Sequence, residues 1–370
     1  MKFYSFNQKD IFDFVKNVFV SYGLNATDSE VATKVLSYAD KNGFSTHGIA
    51  NLERIYITKI LNKEINCKAQ VKVIKNEKAI AVLDGNNGLG LVVGDNAMNI
   101  AIQKAKEFGV GITVVRNSSH FGSAGYYSTK ALSENMIGFS MTNLGSQGVA
   151  PPVGGIVNMI GTNPISVSAP AKKNPPYILD MSTTVAATGK IKEAARQGKQ
   201  IPKGWLIDKN GESTTDPIDY IEQRGYIQFL GGSPETGGNK GYGLALLVDI
   251  LCGILSGADV GPNENALIHS DLCKNDYNIG HFFMAINIEA FQSIDNFKNR
   301  MDSMLEALLN CPTNTNSKQV LYPGYLESTR KQENIVIDEL IVKSLKNLSR
   351  NINISIPEHK LLEECDLIIN

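Results

Sequence analysis

The 370-residue sequence has no surplus of either charge: 36 basic and 37 acidic residues leave a formal net charge of −1. Holding a phosphate backbone takes clustered positive charge, so a nucleic-acid partner is not expected. Long apolar runs are missing too. A stretch such as 244–255 is too short to span a bilayer and contains Asp249. The opening residues, MKFYSFNQKD, lack a basic-then-apolar signal segment, and the expectation is a cytoplasmic protein without membrane attachment. The five cysteines (67, 252, 273, 311 and 365) are odd in number, scattered and never in a CxxC pair, which suits free thiols in a reducing compartment. The five histidines include no HxH or HxxxH pair and no nearby cysteine, so no metal site is expected. A GxSxG nucleophile elbow is absent, since Gly122 with Gly125 and Gly145 with Gly148 have the wrong spacing. With 42% apolar and 20% charged residues over this length, the chain can still bury a large core, and two domains are expected.

Helical periodicity marks the first 60 residues. A first helix is expected to open at about Ser5, with Ile11, Phe12, Phe14, Val15 and Val18 on its buried side. The stretch 27–30, TDSE, has the form of a capping box for a second helix that stops at Gly43. A third helix is expected from Ser45 or Thr46. On it His47, Asn51 and Arg54 stand at i, i+4 and i+7 and share one polar face. From residue 70 the pattern changes to short strand-like runs (71–74, 79–83, 111–115, 137–142, 165–169, 177–180 and 282–288) alternating with helices at 95–107, 184–197 and 241–255. Helical, more charged sequence returns at 295–309 and 337–350, and 269–276 reads as a surface loop. The expected architecture is an α/β domain, 71–295, inserted in a mainly helical domain made of 1–70 and 296–370.

The chemistry gathers between Arg116 and Asp216. Residues 117–125, NSSHFGSAG, join a strand to a helix and place a histidine, an aromatic ring and backbone N–H groups at one turn, which suits an anionic ligand. Turn-rich pieces follow at 151–155, 160–165 and 180–184. Gly88-Leu-Gly-Leu-Val-Val-Gly94 has the spacing GxGxxxG, and the next strand ends on Arg116 rather than on an acid, so it reads as a tight strand-to-helix turn and not as a Rossmann fingerprint. Within the third helix, Thr46 can orient the His47 ring and Arg54 can fork a carboxylate. Asp180 leads into a loop-to-helix start that can meet a ribose or phosphate, and Lys240, in the 237–243 glycine-rich start, can meet a phosphate.

Taken together, these pieces resemble the malate/L-lactate dehydrogenase family that is distinct from the Rossmann-fold dehydrogenases and includes sulfolactate, ureidoglycolate, diketogulonate and piperideine-carboxylate oxidoreductases. The resemblance rests on Thr46-His47-Gly48, His120-Phe-Gly, Gly161-Thr-Asn-Pro164, Asp180-Met-Ser182, Gly189-Lys190, Lys240-Gly-Tyr-Gly and Tyr322-Pro-Gly324, in this order over nearly the whole chain. It implies a non-Rossmann α/β domain holding NAD or NADP, a homodimer, and hydride transfer between nicotinamide and C2 of a small 2-oxo or 2-hydroxy carboxylic acid. It implies proton transfer by His47 with Thr46 beside it, while His120 stays open as the alternative. Substrate contacts would fall on Thr162, Asn51, Arg54, Gly189 and Lys190. Cofactor contacts would fall on His120, Phe121, Gly122, Ser123, Ala124, Asp180, Met181, Ser182, Lys240, Pro323 and Gly324. Many members carry arginine where this chain has Asn51; either Arg54 takes over the carboxylate or the substrate differs. Reduction of a cyclic imino acid, or binding of a nucleotide or acid without catalysis, are the alternative functions.

Overall fold

The computed structural model describes residues 2–268, 278–330 and 333–363. The loop expected at 269–276 lies outside them, as do Cys273 and Cys365.

A seven-stranded mixed sheet organises the centre. Its spatial order is Lys72–Glu77, Ile80–Asp84, Val110–Ser118, Ile279–Asn287, Met136–Thr142, Ile165–Ala169 and Tyr177–Met181. Only the contact between Ile80–Asp84 and Val110–Ser118 is parallel; the other pairings in this sheet are antiparallel. A Rossmann sheet is parallel throughout its nucleotide-binding half, so this architecture is the non-Rossmann α/β fold that the sequence points to. The glycines at 88–94 serve close packing. A Cβ on Gly90 would stand 2.0 Å from the Ser119 carbonyl oxygen, and one on Gly94 would stand 2.8 Å from the Tyr127 ring. The helix Gly90–Phe108 can therefore press its first turns against the 117–127 segment.

The two ends of the chain meet. Phe3–Asn7 pairs antiparallel with both Asn334–Asp338 and His359–Leu361. The first helix accordingly starts later than Ser5, at Gln8, where the Asn7 side chain accepts from the Lys9 and Asp10 N–H groups. The capping box expected at 27–30 is not used. Asn25 caps Ala26–Lys41 by accepting from Asp28 N–H, and Glu30 instead takes a hydrogen bond of 2.6 Å from the Lys16 ammonium. One apolar core runs from Phe6 and Phe19 through Leu36 and Tyr56 to Leu83, Tyr127 and Phe283, joining the terminal helices to the sheet. Asp302, on Ile294–Leu309, fastens that helix to the rest of the chain by accepting from the N–H groups of Lys172, Lys173 and Asn174. Among the described residues, no helix is long and apolar enough to cross a membrane.

Candidate active site

The segment expected to be the third α-helix is not a regular one. Ser45–His47 and Ile49–Asn51 are single 3-10 turns, Leu52–Ile57 is a π-helical turn, and only Thr58–Leu61 is α-helical. Gly48 explains the break. It lies against the Asp40 carboxylate, so that a Cβ there would stand 2.0 Å from Oδ1, and Asp40 accepts the Ile49 N–H at 2.9 Å. Burial pushes the Asp40 carboxyl up to about 7. His47, Asn51 and Arg54 still share one wall, but the irregular turns bring them together in place of a helix face. Asn51, 2% exposed, donates to the Thr46 carbonyl at 2.8 Å and accepts from Arg54 Nη2 at 2.7 Å. The Asn51 amide thus aims the arginine that follows it.

That wall belongs to a pocket of about 520 Å³ lined also by His120, Gln147, Asn158, Thr162, Gly189 and Lys192. A second cavity, about 480 Å³, runs along Gly122, Ser123 and Ala124, then Asp180, Met181 and Ser182, to Lys190 and Arg330. Thr46, His47, Thr162 and Ala187 line both. The two spaces therefore adjoin at a histidine, as transfer between two bound molecules requires.

The two site histidines differ. His47 Nδ1 lies 3.0 Å from Thr46 Oγ1, and burial, followed by repulsion from Arg54, pulls its pKa down to about 4. His120 Nδ1 accepts the Gly122 N–H at 3.2 Å and stands 2.8 Å from the Tyr56 hydroxyl. A backbone N–H can only donate, so Nδ1 is unprotonated, Tyr56 donates to it, and the neutral ring carries its hydrogen on Nε2. Burial, with His47 as the next cause, pulls His120 down to about 3. The rings lie nearly parallel with centroids 6.1 Å apart. His120 is a locked donor, whereas His47 faces both cavities.

Asp180 ties the 123–125 turn together: its Oδ2 accepts from Ser123 Oγ at 2.7 Å and from Gly125 N–H at 2.8 Å. Burial raises this carboxyl to about 6. Thr162 is fixed through its carbonyl, which accepts from both the N–H and the hydroxyl of Thr183. The next residue, Asn163, donates to Asp249 and to the Ala245 carbonyl. The helix Thr188–Gln197 begins at the junction. Ala187 is its N-cap, no side chain caps it, and Thr188 and Gly189 line the larger of the two adjoining pockets. Gly189 allows close approach, since a Cβ would stand 3.0 Å from Thr46 Cγ2.

Not every expected residue reaches these spaces. Phe121 is 1% exposed and stacks between His281 and Tyr127. Lys240 is exposed and lines none of the cavities described. Pro323 and Gly324 pack on the edge strand, where the Pro323 carbonyl accepts the Ile178 N–H, and they line a neighbouring cavity of about 330 Å³ that shares Phe44, Asp180 and Glu327 with the 480 Å³ cavity. Residues 151–154 wall a separate cavity of about 670 Å³ with Trp205 and Phe229, which carries no histidine or acid. Lys190 lines the cavity of about 480 Å³, and Lys192 takes the place expected for it in the other pocket. On the helix that starts at Thr188, Gly189 and Lys192 stand at i and i+3 on one face. Tyr56 gave no signal, because its hydroxyl is carried on a ring that counts as core.

The cleft suits a nicotinamide dinucleotide. Lys190 and Arg330 offer cations beside the carboxyl groups of Asp180, Glu193 and Glu327, the Gly122-Ser-Ala turn leaves room for close approach, and one end opens onto the wall at His47.

The sequence profile described as malate/L-lactate dehydrogenase matches residues 6–346. The chain is 39% identical over 350 residues to a malate dehydrogenase of Pyrococcus abyssi, covering 93% of this chain and 94% of that protein. It is 36% identical over 347 residues to an L-sulfolactate dehydrogenase of Methanocaldococcus jannaschii, covering 93% and 96%. The crystal structure of malate dehydrogenase from Entamoeba histolytica superposes with a TM-score of 0.88 at 32% identity, over 95% of this chain and 99% of that one. The profile covers most of the chain and the whole-length relatives exceed 30% identity; the chain belongs to the malate/L-lactate dehydrogenase family of oxidoreductases.

Proposed function

We propose that this protein is an NAD- or NADP-dependent oxidoreductase that interconverts a small 2-hydroxy acid and its 2-oxo acid, with His47 as the proton-transfer residue. The observation that carries the assignment is that His47 lines both the acid pocket and the cofactor cleft. The bound nicotinamide supplies or accepts the hydride. In the reductive direction Arg54, steadied by Asn51, holds the substrate carboxylate, and His47 gives its proton to the oxygen growing on C2. In the oxidative direction neutral His47 takes that proton. Thr46 orients the ring, and Thr162 fixes the substrate at the junction. His120 contributes a fixed Nε2–H donor rather than exchanging protons, because its Nδ1 is already engaged by two donors.

The protein is further proposed to be a cytoplasmic homodimer. Cys67, Cys252 and Cys311 are free thiols, and Ile250, Ile254 and Leu255 expose an apolar stripe suited to burial against a second copy. The test of the function is absorbance at 340 nm with NADH or NADPH and a panel of oxaloacetate, pyruvate and other 2-oxo acids. Turnover is expected with one cofactor at least, and His47→Ala should lose a factor on the order of 10²–10⁴ in kcat. Near-normal turnover by that variant would remove His47 from the mechanism.

A further inference from the structure

A buried carboxylate stands behind the acid pocket and has no part in the chemistry described so far. Asp249, 4% exposed, opens the π-helical turn Asp249–Ile254, which continues the helix Gly238–Val248. Its Oδ1 accepts from Asn143 Nδ2 at 3.1 Å and its Oδ2 from Asn163 Nδ2 at 2.9 Å. Burial raises the carboxyl to about 6, and no cation pairs with it among the described residues. Two N–H donors aimed at one carboxyl suit the ionised form, which only accepts. A buried anion without a cation is costly, and packing alone would be served by an apolar side chain of similar size.

The two asparagines, both fully buried, stand at the roots of two different loops. Asn143 follows the strand Met136–Thr142, and Leu144, Gln147 and Val149 beyond it line the acid pocket but not the second cavity. Asn143 is held from every side: Oδ1 accepts from Gly145 N–H at 3.1 Å and Gly280 N–H at 3.0 Å, and Nδ2 also donates to the Asp259 carbonyl at 2.7 Å. Gly253, one turn after Asp249, leaves room for this amide, since a Cβ there would stand 3.0 Å from Nδ2. Asn163 follows Thr162, which lines both cavities, and holds a φ of 40°. Its second amide hydrogen goes to the Ala245 carbonyl at 2.8 Å, one turn before Asp249 on the same helix. Asp249, Asn143 and Asn163 themselves line neither cavity. One carboxylate thus fastens, from behind, the loop that shapes the acid pocket and the residue common to both spaces.

We propose that Asp249 is a positioning residue for the transfer reaction: through Asn143 it holds the 144–149 loop against the acid, and through Asn163 it holds Thr162 where acid and coenzyme meet. The proposal rests on the reading of the two cavities given above. Its two arms have different consequences, because the first loop meets the acid alone and Thr162 meets both molecules.

The test combines steady-state reduction of the 2-oxo acid panel with calorimetric binding of oxamate, a non-reacting 2-oxo acid analogue, and of NADH or NADPH, whichever the protein uses. It compares the full-length protein with Asn143→Ala, Asn163→Gly and Asp249→Asn. Asn143→Ala releases only the 144–149 loop, so the acid KM and the oxamate Kd should rise about 5- to 10-fold, with kcat and the coenzyme Kd within about twofold. Asn163→Gly keeps the left-handed backbone but releases Thr162, so kcat should fall about 10- to 100-fold, as a misplacement of about 1 Å does. Asp249→Asn, of the same size as the residue it replaces, should show both effects. Unaltered kcat and acid KM in Asp249→Asn would overturn the proposal. So would an equal fall of kcat in all three variants with acid KM and oxamate Kd unmoved, because that marks a smaller folded fraction and nothing more. If Asp249→Asn does not fold, the split between the two asparagine variants decides: its presence sustains the proposal and its absence overturns it. Oxamate binding separates this inference from the functional reading. Weaker oxamate binding by Asp249→Asn and Asn143→Ala, without turnover of any acid by the unmodified protein, would sustain the clamp and defeat the proposed reaction. Turnover by the unmodified protein with an unchanged oxamate Kd in both variants would do the reverse.

Discussion

Binding of an acid should drive a proton onto His47, and the structure sets the size of the effect. The ring is held down to about 4, first by burial and then by Arg54. A carboxylate docked on Arg54 cancels that repulsion and adds an attraction of its own. At a separation of about 6 Å and an effective dielectric of about 20, the attraction is worth roughly 2.8 kcal/mol, or about 2 pKa units. The ring in the complex should therefore titrate near 6. The sign follows: binding raises the pKa, so the complex takes up a proton and affinity rises as pH falls through about 6 toward 4. Near pH 6 protonation should go from about one molecule in a hundred to about half, and near pH 7 the uptake should shrink to about a tenth of a proton. The assay is calorimetry of oxamate, an unreactive mimic of a 2-oxo acid, with reduced cofactor bound, in two buffers of contrasting ionisation enthalpy. The difference in apparent enthalpy counts the protons. No uptake near pH 6 would refute the electrostatic coupling of Arg54 to His47, and undiminished uptake in His47→Gln would move the proton to another group.

Two further expectations concern stability. Gly48→Ala places a methyl 2.0 Å from Asp40 Oδ1 and 2.2 Å from its Cγ, so the carboxylate must leave and Ile49 N–H loses its acceptor. The loss should be on the order of 3 kcal/mol in denaturant unfolding, and an unchanged midpoint would show that the Asp40 contact is dispensable. His281 is fully buried between Thr142 Oγ1 and Ser118 Oγ, and burial pulls it down from 6.5 to about 3. Its folded pKa lies below the unfolded one, so its share of stability is lost as pH falls from about 6.5 toward 3. At pH 5 that share is about 2 kcal/mol, and His281→Asn should shrink the measured loss between pH 7 and pH 5 by this amount; an unaltered loss would assign the acid sensitivity elsewhere.

Most of the scaffold was legible because its strands carry their own signals. The runs at Ile165–Ala169 and Met136–Thr142 are rich in β-branched and apolar residues and are followed by Pro170 and Asn143, and they fall where expected. Phe3–Asn7 was missed because its partners lie more than 300 residues away, and nothing in SFNQ distinguishes a strand from the approach to a helix. The 45–57 segment was legible in content but not in form. Periodicity of 3.6 found the right residues, whereas the 3-10 and π turns that present them depend on Asp40 reaching across from another helix. Lys192 stands two residues beyond the Gly189-Lys190 pair that the motif singled out and belongs to no motif itself, and Tyr56 was hidden by its aromatic ring. The family motifs located the site more surely than they located each contact: Phe121 belongs to the core, although it stands in the middle of the motif.

The wall shared by the two cavities divides the sequence by its freedom to vary. Thr46, His47, Thr162 and Ala187 serve both spaces, so a replacement at any of them alters two recognition events at once. Arg54 and Lys192 touch one space and Ser182 and Lys190 the other, so if the first takes the acid and the second the coenzyme, as proposed, the two preferences should drift independently through these outer positions. Relatives built on this frame can therefore exchange one acid for another without rebuilding the transfer chemistry, provided the four common residues stay.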